Sequence, residues 1–275
     1  MFGRRRIEYK SDDQLRTMAR AGVVTSRALD AAVAAAAPGV STADLDAVFR
    51  EVLVEHGATS NFLGYYDYPA TICASPNEIV VHGIPGPRVL GEADIISIDG
   101  GAIVEGWHGD SARTVLMPRA ETADRELSEI TREAMWHGIA AAASAQRVGE
   151  IGAAIEDFVR AESGGTYGII EDYVGHGIGS AMHMAPDVPN YRTREAGPRI
   201  KPGMALAIEP MLVTGSTQTE VLEDDWTVVT LDGSHSSQWE HSVAFHRDGI
   251  WVLTAEDGGA EELARRGVRV APIPQ

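Results

Sequence analysis

The chain has 275 residues, 23 of them basic and 40 acidic, with nine histidines, one cysteine and a formal charge of −17. This length holds one large domain or two small ones, and 44% hydrophobic with 23% charged residues describes a globular protein, not a disordered one. The acidic balance excludes a bulk surface that grips nucleic acid or an anionic membrane, and a lone cysteine excludes an intrachain disulfide or a zinc site built on two thiolates.

No apolar run approaches the roughly 18–20 residues of a membrane span, and a reducing, cytoplasmic setting is expected. The start carries Arg4-Arg5-Arg6, followed by polar Glu8 to Asp13 where a signal peptide would need an apolar stretch. That triplet reads as a solvated terminus, with transient contact to a polyanion such as the ribosome as the alternative. From Asp12, Leu15, Met18, Gly22, Ser26, Leu29, Val33 and Ala36 recur at three- and four-residue steps, the stripe of an amphipathic helix that Pro38-Gly39 ends. Ser41 and Asp44 make a capping-box-like start for a second helix, which buries Leu45, Val48, Phe49, Val52 and Leu53 and closes at Gly57.

A later helix, about Glu150 to Glu162, carries Ile151, Ala154, Ile155, Phe158 and Val159 at a constant offset of 106 from those five positions. Leu127, Ile130, Ala134, Gly138 and Ala141 precede it and echo the first helix. Gly86-Pro87-Arg88-Val89 leads to the strand Ile95–Asp99, as Gly197-Pro198-Arg199-Ile200 leads to Ala205–Glu209. These matches indicate an internal duplication of about 110 residues and two similar halves about a pseudo-two-fold axis. Further strands are predicted at Thr71–Ser75, Glu78–His82, Ala102–Glu105, Ala112–Leu116, Thr227–Leu231, Trp239–Phe245 and Ile250–Thr254. The expected architecture is α+β, with helices outside a central antiparallel sheet. A single domain would span 12–255, with repeats of about 12–120 and 121–255, between an N-terminal segment 1–11 and a C-terminal tail 256–275.

Each half ends an apolar strand on an acid, Asp99 after Ile-Ile-Ser-Ile and Glu209 after Ala-Leu-Ala-Ile. A buried carboxylate there is costly unless it is paired or bound to metal, and for either acid alone a turn into solvent is the alternative. Asp110 follows Asp99 by eleven residues, a spacing that lets a hairpin return it beside the first acid. Glu240 precedes the strand-like Ser242–Phe245, and His176 is flanked by Gly175 and Gly177. Four carboxylates and one imidazole suit divalent Mn, Fe, Co or Zn, and bridging carboxylates hold two ions about 3.5–4 Å apart.

Asp99, Asp110, His176, Glu209 and Glu240, with their flanks, resemble the dinuclear metal site of the methionine aminopeptidases. Ser75-Pro76-Asn77-Glu78-Ile79-Val80-Val81-His82-Gly83-Ile84-Pro85, Gly106–Asp110, Gly175–Gly179 and Ala207-Ile208-Glu209-Pro210-Met211 are similar to that family's signatures, over about Ile7 to Thr254. The resemblance is to the type I branch, because the 31 positions from Glu209 to Glu240 leave no room for an inserted helical subdomain. It implies the pita-bread fold and removal of initiator methionine from nascent polypeptide amino termini when the second residue is small.

Carried over by position, Asp110 and Glu240 would bridge two divalent ions (Co, Mn, Fe, Zn or Ni), Asp99 would chelate one, and His176 and Glu209 would hold the other. Glu209 would also move a proton. His183 matches the histidine that binds the scissile carbonyl, and His82 the one that contacts the substrate backbone or leaving nitrogen. Tyr65, Tyr68, Cys73, Met182 and Trp226 would line a methionine pocket, with Phe62 and Met182 departing from the residues the family often carries there. His108 and His241 would support the ligands, while His56, His137, His235 and His246 would be structural or at the surface. The resemblance further implies a monomer, with no sequence-specific nucleic acid and no membrane among its partners. Proline-specific aminopeptidases and dipeptidases share the fold and ligands but usually carry a separate N-terminal domain, and non-catalytic relatives have lost ligands.

Overall fold

The computed structural model describes residues 6–275; the Arg4-Arg5 part of the basic triplet lies outside them. The chain opens with α1 (Asp12–Ala35) and α2 (Thr42–Glu55), then β1 (Thr59–Ser60), a 3₁₀ turn at Tyr65–Asp67, β2 (Ile72–Pro76) and β3 (Ile79–Val81). A long hairpin of β4 (Ile95–Val104) and β5 (Trp107–Leu116) completes the first half. The second half has α3 (Thr122–Ala142), α4 (Gly149–Ser163), β6 (Gly168–Ile169), β7 (Gly175–Gly177), β8 (Met184–Val188), β9 (Ala205–Ile208) and β10 (Met211–Val213). After them come β11 (Thr219–Val221), β12 (Val228–Thr230), β13 (Ser236–Gln238), β14 (Glu240–His246), β15 (Gly249–Val252) and α5 (Ala260–Arg265). No helix among the described residues is long and apolar enough to cross a membrane.

Both early helices start with a capped first turn, the second at the Ser41 signal of the sequence. Ser11 caps α1 in a reciprocal box with Gln14, and Ser41 caps α2 in the same way with Asp44. The main sheet is antiparallel in the order β1-β4-β5-β14-β9-β7-β8, with β2 joined to β4 and β15 to β14. About its central pair, β5 and β14, the order is nearly palindromic: β4 then β2 on one side, β9 then β7 on the other. Each half also keeps its own core. Leu29, Leu45, Phe49 and Leu53 pack on Ile96 and Ile98, while Ile139, Ile151 and Ile155 pack on Leu206, Ile208 and Val243. This is the two-halved layout that the offset of 106 predicts.

The strand period of two sets the faces of the sheet. Ile96, Ile98 and Ala102 face the helices, which leaves Ser97, Asp99 and Gly101 on the opposite side. One expectation fails here. The sequence reading ends one strand at Asp99 and starts another at Ala102, whereas β4 runs through to Val104 and Asp99 lies mid-strand opposite Ala112. Gly100 serves packing: a Cβ there would stand 2.7 Å from the Phe49 ring of α2. Gly100→Ala is therefore expected to lose about 1–3 kcal/mol of stability by overpacking, read as a lowered urea midpoint.

Beyond position 255 the chain does not simply trail away. α5 buries Leu263 against the second-half core, and Arg266 pairs with Glu262 and with Glu133 of α3.

Candidate metal centre and substrate pocket

Register assembles the acids. Asp99 on β4 lies opposite Ala112 on β5, which lies opposite Glu240 on β14, so the small Ala112 separates two carboxylates in one row. Glu209 follows Ile208, the partner of His241, and thus reaches the same row from β9. Asp110 stands two residues from Ala112 on the same face of β5. Period two sends His241 the other way: its ring packs on Trp136 with centroids 4.9 Å apart, and its Nδ1 meets Thr254 Oγ1 at 2.8 Å. His241 thus faces the helices, away from the acids it adjoins in sequence.

All five candidate ligands are buried. One ligand atom each from Asp110, His176 and Glu240 falls within 4.8 Å of the others, and His176 Nε2 lies 3.4 Å from Glu209 Oε1. His176 Nδ1 stands 3.0 Å from the Gly177 carbonyl, so it is the donor nitrogen and Nε2 carries the lone pair towards the carboxylates. Burial, reinforced by the His183 charge, pushes the His176 pKa down to about 3, so the ring is neutral at pH 7 and fit to ligate.

A divalent cation fits this donor set. Among the described residues, Asp99 Oδ1, Asp110 Oδ1 and Glu240 Oε1 are buried without any hydrogen-bond partner, although buried polar atoms are normally satisfied. Hard carboxylate oxygens with one imidazole nitrogen form a typical divalent site. Burial pushes the Asp110 carboxyl up to about 7 against a restraining hydrogen bond from Asn61. Burial and then the Asp110 charge hold Asp99, Glu209 and Glu240 well above the ordinary carboxylate range.

These shifts fix a pH dependence for protein stripped by chelation. Carboxyls whose pKa rises on folding contribute stability that is lost as pH climbs through the folded value, here through about 7 for Asp110. Histidines whose pKa falls on folding act in the opposite direction, losing stability below about 6.5; His82 is pushed to about 4 and His176 to about 3. Above about 6.5 only the carboxyl effect remains. The melting temperature of stripped protein should therefore fall between pH 6.5 and 8, and a divalent cation should restore it more at pH 8 than at pH 6.5. An equal response at both pH values would contradict the charge crowding.

A cavity of about 550 Å³, counted with its open mouth, rises from the acids. Phe62, Tyr65, Tyr68, Cys73, His82, Met182, His183 and Trp226 line it along with the five candidate ligands, so the ligand and pocket residues of the sequence reading converge here, while His108 and His241, read as supports of the ligands, are not in its lining. Tyr68 is fixed by donating to the Ile72 and Gly83 carbonyls, and the Trp226 ring meets it edge-on at 4.9 Å. His82 holds φ +61, a left-handed conformation that is costly for a non-glycine residue and recurs at functional sites. Its ring stands edge-on to Trp226 and to Tyr173. Tyr65 Oη lies 2.9 Å from His183 Nδ1, and the His183 ring is 4.3 Å from that of His176.

Four other histidines serve the fold. His235 meets Asp124, His246 meets the Ala271 carbonyl, His137 stacks on Phe158, and His56 meets the Val52 carbonyl. His108 hangs near the cavity, its backbone N–H donating to Gly179.

Three residues escaped the sequence reading. Gln238 Nε2 stands 3.5 Å from Glu209 Oε2, Asn61 steadies Asp110, and Tyr173 abuts His82. Of these only Gln238 carried a signal, lying two residues before Glu240.

Comparison with known proteins returns one family model, metallopeptidase family M24, matched over residues 16–247. Methionine aminopeptidase 1 of Mycobacterium tuberculosis is 49% identical across 92% of this chain and 96% of its own length. Methionine aminopeptidase of Escherichia coli is 36% identical over 90% of this chain and 94% of its own. Among solved structures, methionine aminopeptidase from Thermotoga maritima superposes with a TM-score of 0.87 at 34% identity, covering 91% of this chain and all of that one. Prolidase from Pyrococcus furiosus shares the fold at a TM-score of 0.71 and 20% identity, but only 65% of its chain is covered.

Proposed function

The chain belongs to metallopeptidase family M24, and from that membership we propose that it removes the amino-terminal methionine of peptides and nascent proteins whose second residue is small. The observation that carries this reading is one cavity joining an apolar, thioether-bearing wall to four buried carboxylates and an imidazole. Met182 gives that wall a soft side chain, which suits a thioether substrate.

In this reading Asp99, Asp110, His176, Glu209 and Glu240 would hold the divalent cations, with Asp110 and Glu240 between the other three. Once bound, such ions would supply a water nucleophile of lowered pKa and polarise the carbonyl under attack. Glu209 accepts the proton of the attacking water and returns it to the leaving nitrogen. Gln238 donates to Glu209 Oε2, which leaves Oε1 directed at the reacting region beside His176. His183 holds the scissile carbonyl oxygen. His82, neutral because burial keeps its pKa near 4, contacts the peptide beyond it. Tyr65, Tyr68, Cys73, Met182 and Trp226 enclose the methionine side chain, and Phe62 narrows the wall beside Tyr68. A nascent-chain substrate is met in the cytoplasm, where this reading puts the enzyme.

Three peptides separate the readings. With a divalent cation present, Met-Ala-Ser should be cleaved to release methionine, while Met-Lys-Ser and Ala-Pro-Ala should remain intact. Cleavage of Ala-Pro-Ala with Met-Ala-Ser untouched would replace this proposal by a proline-directed activity.

A further inference from the structure

One of only two lysines in the sequence, Lys10, is 7% exposed although it lies outside the metal-binding cavity. Its backbone N–H donates to the Gly203 carbonyl at 2.7 Å, and Gly203 in turn donates to Phe245 of β14, the strand that begins at Glu240. Its ammonium reaches Glu8 Oε1 at 3.5 Å. Glu8 accepts from the backbone N–H of Ser180 at 3.2 Å and also from the Ser180 hydroxyl. Both side chains lie against Gly179, where a Cβ would stand 2.2 Å from Glu8 Oε1 and 2.3 Å from Lys10 Cε. Gly179 has no left-handed φ, so a side chain there would meet Glu8 and Lys10 and displace them, with no objection from the backbone.

Gly179 and Ser180 belong to the six-residue connection 178–183, which runs from the end of β7, carrying His176, to His183 at the mouth of β8. Its ends are held separately: Ile178 is buried in the core and donates to Ala205, Gly179 accepts from His108, Met182 is buried in the pocket wall, and His183 meets Tyr65, while the turn at Ser180 is tied by Glu8.

We propose that Glu8 and Lys10 are positioning residues, a latch that fixes the 178–183 connection from outside the cavity and so sets where His183 stands relative to His176. The role assigned to His183 rests on the proposed function; the latch itself rests on the contacts at Gly179 and Ser180. A connection without its latch samples several placements of His183. Misplacing a group that meets the transition state lowers turnover more than substrate binding.

The test compares wild type with Glu8→Ala and with the double variant Glu8→Ala/Lys10→Met, which leaves no buried ammonium without its partner. In cation-loaded enzyme, kcat for Met-Ala-Ser should fall roughly tenfold in both, with KM changed by less than about twofold. The double variant should regain most of any lost melting temperature while its kcat stays low. In a His183→Ala background the same substitutions should leave kcat unchanged, since residues acting through one group are not additive. In metal-free protein, amide hydrogen exchange of 178–183 should quicken in both variants. Unchanged exchange, or an undiminished kcat loss in the His183→Ala background, would overturn the latch. A wild type that leaves Met-Ala-Ser uncleaved would overturn the proposed function, and the exchange measurement would still decide the latch.

Discussion

Glu209→Gln should abolish release of methionine from Met-Ala-Ser, a loss of about 10³-fold or more, while the protein stays folded. The substitution keeps the shape of the side chain and removes its ability to accept a proton. It also removes one of four crowded acids whose pKa values burial holds high, so the melting temperature of stripped protein should not fall. Glu209 is buried beside His176 and Gln238. Circular dichroism and thermal melting establish that the fold persists, and methionine release measures the loss. Substantial retained activity would remove Glu209 from the role of proton carrier.

His183→Ala should lower kcat by about 10²–10³-fold and change KM far less. When the Tyr65 hydroxyl donates to Nδ1 at 2.9 Å, the His183 proton resides on Nε2, the donor that a carbonyl oxygen gaining charge requires. A donor to developing charge acts mainly in the transition state, which separates turnover from binding. Tyr65→Phe should reproduce a fraction of the effect, because it frees the ring without removing it. Equal losses in KM and kcat/KM at constant kcat would assign His183 to substrate binding alone.

How far these assignments could be read before the structure depends on the interaction involved. The helices were legible because local signals specify them: apolar stripes recur at helical spacing, and Ser41 with Asp44 caps the second where its stripe begins. The duplication was legible because Leu45, Phe49 and Leu53 recur as Ile151, Ile155 and Val159, each set packed on its own half of the sheet. The acids could be named, but the row that joins them could not, since it depends on the pairing of β4, β5, β14 and β9. Asp99 shows the difference: the two strands read on either side of it are one, and Gly100 between them is where Phe49 seats. His241 shows it again, adjoining Glu240 in sequence and facing the opposite side of the sheet. Gln238 acts by a hydrogen bond to Glu209 and Asn61 by one to the Gly109 carbonyl beside Asp110, partners far away in the chain, so no periodic pattern announces them.

The central claim is that the row of acids is a cation site serving the cleavage of a terminal methionine. It is tested most directly by stripping the protein with a chelator and titrating manganese or cobalt while following free methionine released from Met-Ala-Ser. The account predicts no release without cation, and release that rises to a plateau as up to two equivalents bind. Full activity in stripped protein, or cation binding that never produces methionine, would contradict it.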